Sequence, residues 1–535
     1  MSSRSDVVVI GSGINGLVTT AELALAGRSV TLIEANPVLG GFIGSGERTA
    51  AGFIHDTFSS WHPLFVSGGA YAVLGEALHA RGLAYDNTDG AVTAGAGTDG
   101  QVAVAYRDVD ATLAGFSASE DKDAYLGMLG NLESRAATIF GALGAELDPA
   151  SMAKLALTTL KGQRIAGTEA LIRDGLASGR SYLDGRFAGW ETDRLWSPWL
   201  LHAGLGPDSA TGGVMLPLMA GTMHEFGLPV VRGGAGKFID AFSQLFADHG
   251  VQVVLGQSVT EIVVRDGVAT GVRTAEEEYL ADHAVVAGVT PQALYTQLLP
   301  RDAVSSNTFE QARTYRYGRA AMQIHLALDA PVAWTDERLR EVPLIHVTDG
   351  SSTMGVSCAQ AQAQMLPARP TIVVGQQSLL DPSRAPAGKS TLWIQLQELP
   401  FDPTSDAAAE IATAGAWTPE VTAGYVDRVL GQIEALAPGF TSTILASDVL
   451  SPADLAAHNA NAVNGDPYCG SAELDQNLRW RPITSQGRHR TAVGHLWHIG
   501  ASTHPGPGLG AGSGHLVAQH LLAPASRNPI RRFFS

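Results

Sequence analysis

Gly11-Ser12-Gly13-Ile-Asn15-Gly16 has the spacing of a turn that sits beneath a phosphate group. In such a turn Gly11 permits the tight bend and Gly13 lets the backbone approach a pyrophosphate. Gly16 lets the following helix pack close to the preceding strand. Glu34, 18 positions after Gly16, would accept hydrogen bonds from ribose hydroxyls, and its charge would repel a 2′-phosphate, which disfavours NADP. The doublet Gly40-Gly41 lets a second loop lie against the same pyrophosphate and leans the reading from NAD towards FAD. His504, in a Gly-rich C-terminal run, and His62, after Ser59-Ser60-Trp61, are the side chains best suited to proton transfer near neutrality. Each has a plainer role open to it: a loop-fixing hydrogen bond for His504, and a capped loop ahead of Pro63 for His62.

Other reactive side chains read more plainly. Tyr315, Tyr317 and His325 could line a substrate space, with ordinary packing as the stronger reading. Trp190, Trp196 and Trp199 would suit the wall of an apolar tunnel or a packed core. Cys358 and Cys469 lie far apart with no CxxC and no paired His, so no metal site and no disulfide framework is expected, and a reduced, cytoplasmic setting fits best. Over Ser151 to Arg180, Lys154, Lys161, Arg164, Arg173 and Arg180 face only Glu169 and Asp174 and are interleaved with Leu and Ile. Such a helix pair could rest on a membrane surface, with Arg531-Arg-Phe-Phe534 as a second contact, although a solvated face is the plainer reading.

The elements that must position these residues follow from periodicity. Val7 to Ile10 is a short apolar run leading into the Gly-rich turn. Leu17, Thr20, Ala21, Ala24 and Leu25 then recur at helical spacing up to Gly27, and Val30 to Ile33 forms a second buried strand ending at Glu34. The complete βαβ unit is present in order. Residues 91–108 predict a hairpin turning at Thr98-Asp-Gly100, and Ser119 to Gly227 predicts an inserted helical cap. Lys237 to His249 predicts a helix, Val251 to Val254 a strand, and Val259 to Arg273 a meander. Gly318 to Leu328 and Thr371 to Glu398 alternate like strands, Pro419 to Ala437 reads as a helix, and Ala492 to Ile499 reads as a last parallel strand. After it, the Gly500 to Gly512 loop and the helix to Leu522 would aim a positive helix end at the flavin edge that becomes negative on reduction.

With 535 residues and 45% apolar composition, the chain should fold into a large core of two or three interleaved domains. A net charge of −17 gives nucleic-acid binding no electrostatic support. Met1 to Ser5 runs directly into a strand without the features of a signal peptide, and no apolar span suits a transmembrane helix.

Asp6 to Ala35, followed by Asn36-Pro-Val-Leu-Gly40-Gly41, resembles the N-terminal FAD signature of the flavoprotein superfamily that holds amine oxidases and phytoene desaturases. Tyr106-Arg-Asp108 with Phe116 and Asp123-Ala-Tyr125 resembles the early cap region of phytoene-desaturase-like proteins. Arg232-Gly-Gly-Ala-Gly236 and Gln257-Ser-Val259 resemble their second FAD segment, and Leu496 to Gly506 their C-terminal flavin motif. Phe42 stands where many members carry Arg, and Gly52-Phe-Ile-His55-Asp56 replaces a more usual Asp-x-Gly-Pro run. Both differences resemble the branch that includes pyridine-nucleotide-disulfide-oxidoreductase-domain protein 2.

The resemblance implies an α/β fold: a Rossmann-type FAD-binding domain built from discontinuous segments, with a sheet-based substrate domain and an inserted helical cap. The segments would be 1–85, 228–300 and 456–535 for FAD, 86–227 for the hairpin and cap, and 301–455 for the substrate domain. It implies cofactor contacts from Gly11, Ser12, Gly13, Asn15, Gly16, Glu34, Ala35, Gly40, Gly41, Ser60, Val259, Gly500, Ala501 and Pro505. It further implies an FAD-dependent oxidoreductase that moves hydrogen across a C–C bond of an extended apolar substrate, such as an isoprenoid, polyene or polyketide. No second complete dinucleotide unit is present, so oxygen or a quinone would reoxidise the flavin. A flavin amine oxidase and a non-catalytic flavin-containing binding protein are the alternatives, and a homo-oligomer stays open.

Overall fold

The computed structural model describes residues 3–523, so the Arg531-Arg-Phe-Phe534 stretch lies outside the described residues. Five parallel strands form the centre of the first sheet, in the order Gln252–Val254, Val30–Ile33, Ser3–Ile10, Glu278–Ala287 and Leu496–His498. Val259–Arg265 and Val268–Thr274 add an antiparallel meander beside the first half of Glu278–Ala287. In the strand Ser3–Ile10 the half Val7 to Ile10 is covered on both faces, which explains why that half is apolar throughout. Val7 and Val9 pack on one face against the helices Ile14–Leu25, Gly236–Asp248 and Gly512–Leu522. Val8 and Ile10 pack on the other against the meander and Leu294 to Leu299.

The last strand is shorter than its sequence suggests, with only Leu496–His498 in the ladder. The Thr491 hydroxyl donates to the Val493 carbonyl and accepts from its amide, His495 is left-handed at φ 59°, and this tight turn removes residues 491–495 from the run.

The second sheet runs Ile444–Leu450, Ala320–Leu328, Ser390–Leu399, Ile372–Gly375, Leu344–Val347, Ala91–Ala96 and Val102–Tyr106. The 91–106 hairpin, grouped by sequence with the helical cap, is in fact the edge of this sheet. Ala91–Ala96 pairs in parallel with Leu344–Val347, at Thr93 opposite Leu344. One face of the sheet packs on the helix Pro419–Leu436. The other carries Leu344, Val373 and Trp393 against Trp196, Trp199 and Phe116.

The two sheets are clamped by a buried ionic cluster. Arg384 donates to Asp56 at 2.7 Å, to Asp381 at 3.1 Å and to the Val231 carbonyl at 2.7 Å. The second Asp56 oxygen accepts from the Ala235 amide at 2.7 Å. Asp56, part of the unusual Gly52-Phe-Ile-His-Asp run, thereby joins the N-terminal segment to the loop between two strands of the second sheet. The helices Ser119–Leu143 and Pro149–Leu176 project from this body, linked by residues 144–148. No helix among the described residues is long and apolar enough to cross a membrane.

Candidate functional site

The parallel strands deliver Glu34, Gly11, Gly288 and Gly500 to one edge of the first sheet, where a cavity of about 580 Å³ opens. Carboxyl-terminal strand edges are where open α/β sheets bind ligands, because the loops diverge there and helix N-termini point inward. Gly11 stands at φ +88°, and a Cβ there would approach the Gly288 carbonyl oxygen to 3.1 Å. A Cβ on Gly16 would lie 1.9 Å from the Gly11 carbonyl oxygen, so this position admits no side chain. Gly13 differs: a Cβ there meets no protein atom within 4 Å and points into open space. No side chain caps the helix Ile14–Leu25 that begins after it, leaving its first amides for an anion. Gly41, at φ +61°, brings a second loop to 3.4 Å from the Gly13 Cα, measured from its would-be Cβ.

Glu34 is held by three donors. The Ser12 amide at 2.8 Å and the Ser12 hydroxyl at 2.7 Å share one carboxylate oxygen, and the Asn36 amide at 2.9 Å takes the other. Ser12 itself does not reach the cavity; its hydroxyl accepts from the Gly40 amide at 3.1 Å and so ties the two glycine loops together. Gly11, Gly13, Asn15, Gly16, Glu34, Ala35, Gly40, Gly41, Val259, Gly500 and Ala501 all line the cavity. Gln257 and Ser258 extend the wall at Val259, and the Gln257 amide donates to the Glu34 carbonyl at 3.1 Å.

Ser60 and Pro505 are absent from the lining, and both expectations are corrected. The Ser60 hydroxyl donates to Asp56 at 2.5 Å and accepts from Gln377 at 3.0 Å, which puts it in the ionic clamp, while neighbouring Phe58 and Ser59 reach the cavity. Pro505 packs where a Gly512 Cβ would lie, and Pro507 lines the cavity instead.

The two histidine assignments also change. His504 turns away from the cavity and donates from Nε2 to the Ala142 carbonyl at 2.9 Å. Burial holds its pKa down at about 4, so it is neutral and fixes the loop rather than moving a proton. His62 is fully buried, edge-on to Phe238, with Nδ1 3.1 Å from the Tyr85 hydroxyl, and burial lowers its pKa to about 4. It belongs to the core of the first segment. Trp196 and Trp199 are core residues, and Trp190 carries the Arg194 guanidinium on its ring at 4.6 Å, so none of the three lines the cavity. Tyr315, Tyr317 and His325 bond to the Cys469 carbonyl at 3.1 Å, Gln292 at 3.2 Å and the Asp56 carbonyl at 2.9 Å.

Several residues of the site escaped the sequence reading. The end of the helix Pro452–His458 and the turn 459–461 close one side. His458 donates to the Gly41 carbonyl at 2.9 Å and stacks on Phe42 at 5.8 Å, and Asn461 donates to the Gly288 carbonyl at 2.9 Å. Phe42 lines the cavity and also packs on Phe58 at 4.8 Å. Pro467, Tyr468 and Cys469 also line the cavity. Their loop is gathered by buried Asp466, which accepts from the amides of Gly318, Tyr468 and Gly470 at 2.7–2.8 Å. Arg481, also buried, donates to the carbonyls of Ala501 at 2.7 Å, Ser471 at 3.0 Å and Tyr468 at 3.1 Å, fastening this loop to the C-terminal one. The cluster of Asn, Gly, Asp and Pro at 459–470 was the available signal, and it reads only as a loop. Burial pushes the Cys469 thiol up to about 12 and raises the Tyr468 phenol as well, so both are protonated at neutral pH.

An open cradle over Gly13, a clamped acid 18 positions beyond Gly16 and a cavity of about 580 Å³ together fit a dinucleotide. The family model for flavin containing amine oxidoreductases matches residues 14–437, and the chain belongs to that family. It is an FAD-using flavoprotein of α/β fold, similar to phytoene desaturases. Phytoene dehydrogenase of Streptomyces griseus is 25% identical over 532 residues, covering 97% of this chain and 95% of that protein. Pyridine nucleotide-disulfide oxidoreductase domain-containing protein 2 of Mus musculus is 26% identical over 305 residues, 54% of this chain. In that match the chain spans about half of the relative's length, 51%. Among solved structures, an oxidoreductase from Methanosarcina mazei superposes with a TM-score of 0.62 at 16% identity, covering 97% of this chain and all of the other, a likeness of fold alone.

Proposed function

We propose that this flavin oxidoreductase moves hydrogen across a carbon–carbon bond of an extended, largely apolar substrate, of isoprenoid, polyene or polyketide type. One observation carries the reading. Among the described residues lining the cavity, Glu34 is the sole carboxylate and no Lys or Arg appears. Glu34 is already held by three donors at the ribose end. An alkylammonium substrate would lose its hydration in this cavity without gaining a free counter-charge, whereas Phe42, Phe58, Pro467 and Tyr468 offer apolar surface at no such cost. Similarity to phytoene dehydrogenase over nearly the whole chain supports the same reading.

FAD, when bound, supplies the hydride chemistry. In this reading Gly11, Gly13, Gly16 and Glu34 hold the adenylate half, Val259 meets the adenine edge, and Gly500 and Ala501 lie beside the ring. Tyr468 and Cys469, both protonated, shape the reacting end and exclude water. Oxygen or a quinone takes the electrons in turn. The helices over the body serve as a cap through which substrate enters.

Anaerobic mixing of the yellow holoprotein with polyenes, enones and amines tests the proposal. Bleaching of the flavin band by a polyene or enone is expected. Bleaching by amines alone would replace the proposal with an amine oxidase, and no bleaching by any member would favour a flavin-containing binding protein.

A further inference from the structure

We propose that the face of the second sheet that meets Trp196 and Trp199 holds a hydroxyl group of the substrate, bound between Gln397 and His346. The assignment deepens the substrate reading above and rests on it. A strand covered on both faces needs only apolar side chains. One face of this sheet follows that rule, with Ile345, Val374, Ile394 and Ile324 opposite one another in a single row. On the other face the adjoining row reads His346, Val373, Gln395 and Gln323, and Gln397 stands two positions beyond Gln395 on the same side. These four polar side chains are no more than 4% exposed. Burying polar groups is costly unless they are hydrogen-bonded, so packing alone gives no reason for them.

Their bonds are incomplete. Gln395 and Gln323 meet only at 3.4 Å, beyond the usual range. The Gln397 nitrogen donates to Gln395 at 2.8 Å and to the Tyr468 hydroxyl at 2.9 Å, whereas its Oε1 has no partner among the described residues. His202 and His346 are joined by a single hydrogen bond between their Nε2 atoms at 3.0 Å. Because the Gln397 nitrogen faces His202 Nδ1 at 3.4 Å, His202 carries its proton on Nε2. His346 then carries its own on Nδ1, which is buried and unpartnered. The Trp199 ring, edge-on to His346 at 5.2 Å, has an unpartnered Nε1–H as well.

One free acceptor and two free donors define the ligand. A hydroxyl both donates and accepts, and a hydrocarbon does neither. Burial lowers the pKa of His202 to about 4 and that of His346 well below its usual value, so the pair is neutral and offers no charge to a carboxylate or an ammonium. Tyr468 joins this row to the cofactor cavity: it lines the cavity, and its hydroxyl accepts from Gln397 and donates to the Leu201 carbonyl at 2.7 Å. Tyr468 and His202 are only half-buried, which leaves surface for a ligand at this end of the row.

Anaerobic titration of the oxidised holoprotein with farnesol, β-farnesene and farnesylamine, three ligands of one chain length, follows the flavin absorption band. Farnesol is expected to bind about 10-fold more tightly than β-farnesene. Gln397→Leu should remove that preference, weakening farnesol by about 5- to 10-fold and β-farnesene by less than about 2-fold, with flavin content unchanged. Trp199→Phe keeps an aromatic ring and loses the N–H, and it too should weaken farnesol alone. Equal binding of farnesol and β-farnesene by the parent, no binding of farnesol, or equal weakening of both ligands in both variants would overturn the hydroxyl site and leave the carbon–carbon reading standing. Farnesylamine as the sole ligand that binds and bleaches the flavin would overturn that reading and the site together.

Discussion

Ten of the twelve residues in the helix Ile14–Leu25 are buried, whereas the helix Pro149–Leu176 buries two of 28. The first is locked by backbone meeting backbone: Gly16 lies against the Gly11 carbonyl, and a Cβ on Gly514 would stand 2.2 Å from the Asn15 carbonyl oxygen. The second is tied down by the Asp174 ion pairs, a Thr138–Thr159 contact and its ends. One region is specified by its own packing and the other is held by few contacts. Substitutions should therefore act through sterics in the first and cost little stability in the second.

The largest effect expected is that of Gly16→Val, which drives a side chain into the Gly11 carbonyl and should yield no folded, yellow protein. Gly13→Val sharpens the point, since its Cβ meets no protein atom within 4 Å. That variant should keep its far-ultraviolet circular dichroism and purify colourless. Stoichiometric flavin in it would show that the cradle had been misplaced.

Acid should come next, and it should act on the body of the molecule. Burial lowers the pKa of His62, His202, His498 and His504 to about 4, while residues 119–176 contain no histidine. Between about pH 6.5 and 4 the unfolded chain binds more protons than the native one at these sites, so stability falls as pH falls. The loss is on the order of 2 kcal/mol for each histidine at pH 5. Urea midpoints measured from pH 7.5 to 5 should decline steadily, and a flat profile would contradict the burial of these rings.

Arg481→Met removes the donors that hold three loop carbonyls and should cost on the order of 3 kcal/mol, with earlier flavin release on heating. His504→Ala should be the mildest. Its ring faces Ala142 rather than the cavity, so flavin should stay bound and its reduction should slow by less than about 3-fold. A loss of about 10²-fold in stopped-flow reduction would return His504 to proton transfer.

How much the sequence revealed tracks the same contrast. Gly11 and Gly16 could be read directly, because close backbone approach leaves glycine as the fitting residue, and Gly13 and Gly41 could be read from their fixed spacing beside them. Glu34 was legible because it ends the strand beside that turn. Asn461, Asp466 and Arg481 were not, since each acts by bonding backbone groups of a segment elsewhere in the chain and carries no local pattern. His504 was misread for a related reason. Residue type suggested proton chemistry, but a carbonyl at Ala142, over 350 positions earlier, sets where the ring points. The basic, apolar stretch Ser151 to Arg180 was recognisable from composition as helical, whereas the near-complete lack of burial of the helix Pro149–Leu176 needed the fold.

The strand order also sets a timetable. Ser3–Ile10 is made first, yet its neighbour Glu278–Ala287 comes hundreds of residues later, and Leu496–His498 last of all. At roughly 5–20 residues per second of synthesis, about 25–100 s separate the first strand from the last. Throughout that interval the glycine turn exists without the loops that close over it. Flavin capture is therefore a late event in the life of each new molecule, and cells short of FAD would accumulate chains whose first and last segments have met around an empty cradle.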